Sequence, residues 1–292
     1  MSAPELPAAG GVELWFTERQ TTDLALSLRV IRTLCRETTP YQELLVAETA
    51  SFGRLLSLGG TIQLTERDEF FYHEMLAHVP LAAHPAPHRV LVIGGGDGGT
   101  VREVLRHEGI ERVDLVEIDE AVVRAGRTYF PGLASGLDDP RVRVHYEDGI
   151  AFVARAAEAS YDVVLVDSTD PVGPAVGLFR AAFFRSVARA LGPDGIVAAQ
   201  SESPLLHGDL IAETAGQMRQ ALDRVALYLC PVPTYPSGQW SFLIGARAGG
   251  PALSDPRPGL SLPGTRYYTA GVHRAAFELP PYAAAHVEPE RR

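Results

Sequence analysis

The stretch RVLVIGGGDGGTVREVLRH, residues 89–107, decides the fold of this chain. Its apolar first half is typical of a buried strand, its last residues have the apolar spacing of a helix, and a glycine-rich turn joins them. The turn contains G-x-G-x-x-G at Gly94, Gly96 and Gly99. Because glycine lets a backbone turn sharply and approach a ligand closely, this order predicts the first strand–turn–helix unit of a nucleotide-binding α/β sheet.

Strands and helices alternate after this unit. Strands are predicted at RVDLVEID, RVRVHYED, YDVVLVD and GIVAAQ, and the intervening helices at EAVVRAGRTYF, GIAFVARAAE and LFRAAFFRSVARAL. A further helix is predicted over 208–222, and RVALYLCPVPTY with QWSFLIGAR is predicted to extend the sheet as an antiparallel hairpin. The alternation predicts a doubly wound, Rossmann-like α/β sheet.

Residues 12–64 have a different pattern, with short alternating apolar stretches between Gly-rich corners, which predicts a small antiparallel sheet. A helix is expected next over TERDEFFYHEMLAHV, with Thr65 as its N-cap and Pro80 at its end, and AAHPAPH then has the composition of a linker. We therefore expect an N-terminal β-domain over 1–65 and a Rossmann-like catalytic domain over 66–292.

Composition restricts the class of protein. The 292 residues are 46% hydrophobic, enough for a full core, and the net charge of −10 argues against a nucleic-acid surface. No stretch approaches the roughly 18 apolar residues of a membrane span, and the first residues do not have the pattern of a secretory signal. Cys35 and Cys230 lack metal-ligand spacing. We expect a cytoplasmic protein with free thiols and no membrane contact.

Acidic residues follow four consecutive strands of the predicted sheet. Asp97 lies in the glycine turn, Glu117 ends the second strand, Asp148 follows the third, and Asp167 and Asp170 follow the fourth. Each acid on its own is typical of a helix cap or a turn. The carboxyl ends of parallel strands meet at one edge, however, and carboxylates gathered there repel one another unless a cation balances them. No obvious Lys or Arg accompanies them in these loops, so a cationic ligand is expected.

The same acids indicate which ligand that is. Glu117, 18 residues after Gly99, is placed to accept the ribose hydroxyls of a nucleoside. Asp97 inside the glycine turn would repel a pyrophosphate, which disfavours NAD, and would also oppose the carboxylate of S-adenosylmethionine. It would attract an aminopropyl arm that ends in an ammonium. The pattern therefore favours a decarboxylated sulfonium nucleoside and a cationic co-substrate.

The chain resembles the polyamine aminopropyltransferases of the spermidine synthase type from about residue 14 to residue 281. The motifs that carry the resemblance are TPYQELLV, TIQLTERDEFFYHEMLAHVPL, VLVIGGGDGGTVREVLRH, VEID, DDPRV, EDGIAFV, YDVVLVDSTDPVGPAVGLF, PTYPSGQWSF and TRYYTAGVHRAAFELP. The resemblance implies transfer of an aminopropyl group from decarboxylated S-adenosylmethionine, a co-substrate, to putrescine, which gives spermidine and 5'-methylthioadenosine. It also implies a Rossmann-like domain of the class I methyltransferase type beside the small N-terminal antiparallel β-domain, and a homodimer or homotetramer assembled through the β-domain. We expect no metal and no cofactor.

The resemblance implies roles for individual residues. Asp167 is the expected general base, and Asp170 is expected to hold the amine. The positions expected around the thioadenosine are Gln42, Glu117, Asp148, Gly149 and Pro174. Those expected to contact the polyamine or the aminopropyl arm, or to line the pocket, are Tyr72, His73, Asp97, Ser168, Thr169 and Tyr235.

A base is needed because a primary amine with a pKa near 10.4 is neutral in only about one molecule in a few thousand at pH 7. Desolvation lowers the pKa of an ammonium and crowding raises that of a carboxylate, so Asp167 and Asp170 narrow the gap between donor and acceptor. We expect these two carboxylates to titrate as a coupled pair.

One position departs from the family pattern. Members usually have LDG where this chain has LGG at residues 58–60, so Gly59 replaces an acid. The change either removes a turn contact or alters acceptor choice, which leaves agmatine, cadaverine and spermidine as alternative acceptors. An S-adenosylmethionine-dependent N-methyltransferase and a non-catalytic polyamine-binding protein are the alternatives from other functional classes.

Overall fold

The structure, a computed structural model, describes residues 12–170 and 173–288. The N-terminal part is a five-stranded sheet in which each strand pairs antiparallel with the next along the chain. Its strands are β1 (Leu14–Arg19), β2 (Ala25–Thr38), β3 (Glu43–Thr49), β4 (Arg54–Leu58) and β5 (Thr61–Thr65). The small antiparallel sheet expected from the alternating pattern is confirmed.

The second part is a seven-stranded sheet with the order β11-β12-β10-β9-β6-β7-β8. Only β12 runs antiparallel to its neighbours, β10 and β11, as the predicted closing hairpin requires. The strands are β6 (Arg89–Gly94), β7 (Arg112–Glu117), β8 (Val142–Tyr146), β9 (Tyr161–Asp167), β10 (Leu191–Gln200), β11 (Arg224–Pro231) and β12 (Gln239–Ala246). The doubly wound Rossmann-like fold is confirmed.

Helices cover both faces of this sheet. They are α1 (Glu69–Ala83), α2 (Gly99–Val104), α3 (Glu120–Tyr129), α4 (Gly149–Arg155), α5 (Ala181–Ala190), α6 (Gly208–Met218), α7 (Ala270–Ala276) and α8 (Pro281–Val287), with 3-10 helices at Ala134–Asp138, Gly173–Phe179 and Pro236–Gly238. Alternate residues of β6 pack on opposite faces: Val90 and Val92 join the core with α1, and Leu91 and Ile93 join the core with α5. A strand buried on both faces explains the unbroken apolar run of its sequence.

Helix α1 differs from its prediction at both ends. Thr65 closes β5 instead of capping the helix, and its hydroxyl donates to Asp68 Oδ1 at 2.5 Å. The other carboxylate oxygen of Asp68 accepts from the backbone and hydroxyl of Thr234, so this tertiary contact replaces the expected cap. The helix also continues through Pro80 to Ala83, because packing of its buried last turn outweighs the backbone bond that proline cannot make.

The two sheets are joined through α3. Leu44, Val46 and Leu56 of the small sheet pack against Val122 and Phe130. This contact places the β4–β5 hairpin over the carboxyl ends of the parallel strands. None of the helices within residues 12–170 and 173–288 has the length and apolar character needed to cross a bilayer.

Candidate active site

A cavity of about 430 Å³ lies between the small sheet and the carboxyl ends of the parallel strands. The crevice of a doubly wound sheet opens where the strand order reverses, here at the neighbouring strands β6 and β9. The predicted site residues that line it are Gln42, Tyr72, His73, Gly94, Gly96, Asp97, Glu117, Asp148, Gly149, Asp167, Ser168, Thr169, Asp170 and Tyr235. The structure therefore brings together residues that the sequence separates by almost 200 positions.

Asp167 ends β9 at this edge and accepts two hydrogen bonds. The Tyr72 hydroxyl donates to its Oδ1 at 2.8 Å, and the Thr100 hydroxyl donates to its Oδ2 at 2.6 Å. Burial and then the nearby charge of Asp97 raise the pKa of Asp167, although His73 and the two hydroxyl donors act in the opposite direction. A carboxylate with a raised pKa is a stronger base, as proton abstraction from an amine requires.

The three glycines of the motif make room for the protein's own side chains and backbone. A Cβ at Gly94, where φ is +79°, would lie 2.1 Å from the carbonyl oxygen of Asp167. A Cβ at Gly96 would lie 2.8 Å from Cγ of Glu117, and one at Gly99 would lie 2.3 Å from the ring of His73. Because no real Cβ makes such contacts, the glycine turn is shaped around the groups that line the cavity.

Asp97 is held inside the turn by a cation. Its Oδ1 accepts from the backbone N–H of Gly99 at 2.8 Å and lies 3.4 Å from Nε2 of His73. Burial alone would lower the pKa of His73, but the adjoining carboxylates of Asp97 and Glu69 outweigh it and raise that pKa to about 10. The sequence interpretation expected a cationic ligand to balance the acids and did not anticipate His73 of α1, which lies between Asp97 and Glu69.

Glu117 lies at the other end of the cavity. Its Oε2 accepts from the backbone N–H of Gly96 at 3.2 Å, and its Oε1 accepts from that of Asp119 at 2.9 Å. Burial, aided by the charges of Asp119 and Asp97 and opposed by these two hydrogen bonds, raises the pKa of Glu117 to about 7. Glu117, at the end of β7, is thus held by two backbone donors, and the remaining lone pairs of its carboxylate are available to accept from hydroxyl groups.

The residues around Glu117 link the two sheets. Gln42 donates from Nε2 to Oδ2 of Asp119 at 3.3 Å, and Thr39 donates to the same oxygen at 2.7 Å. Asp148 is exposed and caps α4 by accepting from Ile150, as its capping interpretation predicts. Gly149 is buried against Ile93, where a Cβ would lie 2.4 Å from Cγ2.

Asp170 belongs to a different cluster from Asp167. Burial first, and then the charge and hydrogen bond of Glu202, raise the pKa of Asp170 to about 8, and Glu18 acts in the same direction. Nδ1 of His207 lies 3.2 Å from Oε2 of Glu202. The expected coupled pair of Asp167 and Asp170 is therefore replaced by two separate couplings, Asp167 with Asp97 and Asp170 with Glu202.

Glu202 and Glu18 were missed by the sequence interpretation. Glu202 is two residues past the end of β10, so the rule that located the other acids also applies to a fifth strand end. Its backbone has a φ of +76°, which directs this loop back toward the sheet. Glu18 carries no such signal, since it comes from β1 and accepts from the backbone of Ile62 at 2.6 Å.

Aromatic residues close the side of the cavity next to Asp170. The ring of Tyr235 lies 5.7 Å from that of Tyr72 and 4.8 Å from that of Trp240, and its hydroxyl donates to the Gln63 carbonyl. Among the described residues, Oγ of Ser168 and Nε1 of Trp240 are buried without a hydrogen-bond partner. Thr169 accepts through its carbonyl from Gln200 at 3.4 Å. The side chain of Pro174 lies outside the described residues.

Comparison with protein families identifies the chain. Residues 69–252 match the spermine/spermidine synthase domain, and residues 14–66 match the spermidine synthase tetramerisation domain. The chain belongs to the spermine/spermidine synthase family. The resemblance read from the motifs is thereby confirmed, as is the assignment to enzymes of the polyamine aminopropyltransferase type.

Members of the family align with almost the whole chain. A polyamine aminopropyltransferase of Moorella thermoacetica is 52% identical over 275 residues, covering 94% of this chain and 96% of the relative. That of Bacillus subtilis is 43% identical over 272 residues, covering 93% and 98%.

Solved structures of the family have the same fold. A spermidine synthase in complex with the transition state analogue AdoDATO superposes with a TM-score of 0.90 at 34% identity, over 97% of this chain and 98% of the other. The spermidine synthase of Thermotoga maritima gives 0.88 at 33% identity, over 97% of both chains. The predicted boundary between domains at residue 65 stays a prediction.

Proposed function

We propose that this aminopropyltransferase is a spermidine synthase, which transfers the aminopropyl group of decarboxylated S-adenosylmethionine to putrescine. The observation that supports this best is the arrangement of carboxylates along one cavity. Asp97, Asp167 and Asp170 all line the cavity, and the charges of all three act on Tyr235 of its wall. A linear diamine beside a cationic sulfonium suits such a row.

The reaction needs one proton transfer and one displacement. The lone pair of the acceptor nitrogen forms a bond to the aminopropyl carbon next to the sulfonium. The C–S bond breaks with its electron pair remaining on sulfur, which leaves neutral 5'-methylthioadenosine. Asp167 takes the proton that the nitrogen must lose, and its raised pKa makes it suitable for this step. Tyr72 and Thr100 hold the two carboxylate oxygens in place.

The two clusters on either side would bind the two ammonium groups. Asp97, kept ionised by His73, would hold the terminal ammonium of the aminopropyl arm. Asp170, which lines the cavity, would hold the distal ammonium of the diamine, and Glu202 would support it through its contact with Asp170. Fixing both reactants in line removes much of the entropy cost of a two-substrate reaction.

Glu117 would accept the ribose hydroxyls, with Gln42, Asp148, Gly149 and Pro174 around the rest of the thioadenosine. Gln42 contributes indirectly as well, because it binds Asp119 next to Glu117. The reactants themselves supply the leaving group and the nucleophile, so we propose that the enzyme uses decarboxylated S-adenosylmethionine as co-substrate and takes no separate cofactor.

A panel of acceptors tests the proposal. Purified enzyme is mixed with decarboxylated or ordinary S-adenosylmethionine and with putrescine, cadaverine, agmatine or spermidine, and both 5'-methylthioadenosine and the amine product are measured. The highest kcat/KM is expected for putrescine with the decarboxylated nucleoside. A higher kcat/KM for another amine would show that this amine, and not putrescine, is the acceptor. Formation of a methylated amine from ordinary S-adenosylmethionine would show that the enzyme transfers a methyl group instead of an aminopropyl group.

We propose further that residues 1–65 form the assembly domain of a homodimer or homotetramer. The match of residues 14–66 to a tetramerisation domain supports this, and so do the exposed apolar residues of the small sheet. Trp15 and Ile31 are 54% and 56% exposed on β1 and β2, which a second copy of the chain would cover.

A further inference from the structure

We propose that Glu69 and Arg102 are positioning residues that hold His73 as a cation facing Asp97. The inference rests on the proposed function, because it explains how Asp97 and Asp167 can both be ionised in one closed site. Neither Glu69 nor Arg102 lines the cavity.

The contacts form a buried chain behind the site. Oε2 of Glu69 lies 2.6 Å from Nδ1 of His73, four residues along α1, and the same oxygen accepts from Nη2 of Arg102 at 2.9 Å. Nη1 of Arg102 donates to the second oxygen at 3.3 Å, so the guanidinium engages both oxygens of Glu69. Glu69 is 6% and His73 2% exposed, which leaves little water to compete for these bonds.

The geometry fixes the orientation of the ring as well as its charge. With Nδ1 directed at Glu69, Nε2 is directed at Asp97, 3.4 Å away. An imidazole between two carboxylates donates to both of them only when both nitrogens carry a proton. The ring also packs against Gly99, where no side chain could fit, so it cannot turn without moving the glycine turn.

Groups on four segments face His73. They are Glu69 and Tyr72 of α1, Asp97 of the glycine turn, Arg102 of α2, and Asp167 at the end of β9. Burial opposes charge on Glu69, but its bonds to His73 and Arg102 lower its pKa. Arg102 therefore keeps Glu69 ionised, and Glu69 in turn favours the protonated imidazole.

The consequence reaches the reacting carboxylates. Burial alone would raise the pKa of Asp97, but the His73 charge and bond lower it. The same charge partly offsets the effect of Asp97 on Asp167. If His73 became neutral, Asp97 and Asp167 would repel each other more strongly, and one would hold a proton at neutral pH. Asp167 would then be lost as a base in part of the enzyme.

An NMR titration of the histidine rings tests the charge directly. The chain has nine histidines, so His73→Asn identifies the signal of His73. In the parent protein this ring is expected to stay protonated beyond pH 9. In Glu69→Gln its titration midpoint is expected about 1–3 pH units lower, the usual effect of losing one close opposite charge. In Arg102→Met the midpoint is expected to fall by less, because this variant frees Glu69 but also removes a like charge from the neighbourhood of the ring. The measurement needs no substrate, so its outcome is independent of which amine is the acceptor.

Kinetics test the effect on the reaction. In both variants kcat at pH 7 is expected to fall about tenfold, because the reacting groups are less well positioned but still present. Activity should partly return at higher pH, where Asp97 and Asp167 both lose their protons. Arg102→Lys, which keeps the charge, should recover most of the parent profile. Glu74→Gln is the control, because Glu74 is also a buried carboxylate of α1 but bonds to the backbone of residues 266–268.

An unchanged His73 midpoint and pH profile in Glu69→Gln and Arg102→Met would overturn the proposal, and so would an equal change in Glu74→Gln. If Glu69→Gln does not fold, Arg102→Met decides alone, because the Arg102 side chain is 21% exposed whereas that of Glu69 is buried.

Discussion

Asp167 and Asp170 are three residues apart in the chain but have different neighbours. Asp167 is bonded by two neutral hydroxyl groups and lies near Asp97 and His73, whereas Asp170 lies against Glu202. One is therefore suited to take a proton during the reaction, and the other to exchange a proton for a bound ammonium. Each difference leads to a separate measurement.

The hydroxyl of Thr100 is expected to lower the pKa of the Asp167 carboxyl group. Its bond to Oδ2 of Asp167 favours the ionised carboxylate, so Thr100→Val, which keeps the shape, should raise the pKa of Asp167. A base acts only when ionised, and the acidic limb of the kcat/KM profile should therefore move to higher pH. Profiles from pH 6 to 10 check this. Thr214→Val, at a buried threonine of α6, should leave the limb in place. A limb at the parent position in Thr100→Val would contradict the expectation.

Binding of the acceptor is expected to release a proton. At pH 7 the Asp170–Glu202 pair holds a proton, because the pKa of Asp170 is raised to about 8. An ammonium placed there favours the ionised pair, so about one proton per site should leave at pH 7 and fewer as the pH rises through the pKa. Calorimetry of putrescine binding, with 5'-methylthioadenosine present, measures this in buffers of different ionisation enthalpy. Asp170→Asn should abolish the buffer dependence, and equal enthalpies for the parent protein would refute the release.

At this scale the sequence predicts which acids meet, but not what charges they carry. Acids at strand ends converge because parallel strands share an edge, and this rule located Asp97, Glu117 and Asp167. The cation beside Asp97 comes from α1, a segment before the sheet, and no periodicity in the sequence predicts that contact. Coupling of Asp170 with Glu202 depends in the same way on loop conformation.

Helix α1 serves both the site and the rest of the fold. Tyr72 and His73 face the cavity, whereas the Glu74 carboxylate accepts from the backbone N–H groups of residues 266, 267 and 268 at 2.7–2.8 Å. The C-terminal segment is thus fixed to the helix that carries the site. Three backbone donors bind one buried carboxylate here. Such charge-assisted hydrogen bonds are stronger than those between neutral groups.

Glu74→Gln is expected to weaken this attachment. An amide has one acceptor oxygen and adds two donors that would face the N–H groups, so the free energy of unfolding should fall by about 1–3 kcal/mol. Urea unfolding measures the loss, and limited proteolysis should cut after residue 250 sooner than in the parent protein. Glu278→Gln, on the surface of the same segment, is the matched substitution. Equal stability of Glu74→Gln and the parent would mean that the segment is held by its apolar contacts alone.

The elements themselves were largely predictable, and the exceptions have physical causes. Periodicity located the strands β6, β7, β9 and β10 because their apolar runs are buried on both faces, and the edge strand β8 because Val142 and Val144 alternate with polar residues. The predicted start of α1 was wrong because the Asp68 carboxylate accepts hydrogen bonds from Thr234, which is 166 residues away in the chain. The predicted end of α1 was wrong because the helix continues through the buried Pro80 to Ala83.

In the molecule as a whole, the five-stranded sheet lies over the carboxyl ends of the parallel strands of the seven-stranded sheet, and both sheets contribute residues to the wall of the cavity. Gly59 lies in the β4–β5 hairpin that lines this cavity, with a φ of +60° and open space around the position of a Cβ. An acid at this position would meet no neighbouring atom, but the left-handed backbone would strain it. The resemblance to the family raised a role for this turn in acceptor choice, but no local pattern in the sequence predicts that the turn lines the cavity, because that depends on how the two sheets meet through α3.

Assembly is expected to depend on the outer face of the small sheet. Trp15→Asp combined with Ile31→Asp places charge where a second copy would bury apolar surface, so sedimentation velocity should give a smaller species than the parent protein. Tyr146→Asp, an exposed aromatic residue of β8 in the other sheet, should leave the sedimentation coefficient unchanged. The proposal fails if the double variant sediments like the parent.

Asp167→Asn tests the central claim, that a half-buried carboxylate at the end of β9 removes the proton from the attacking amine. The measurement is single-turnover formation of 5'-methylthioadenosine, with binding of that nucleoside measured alongside and the surface change Asp138→Asn as control. The variant is expected to bind the nucleoside like the parent and to react at least about 100-fold more slowly, the usual contribution of a positioned general base. Turnover close to that of the parent, with binding intact, would contradict the claim.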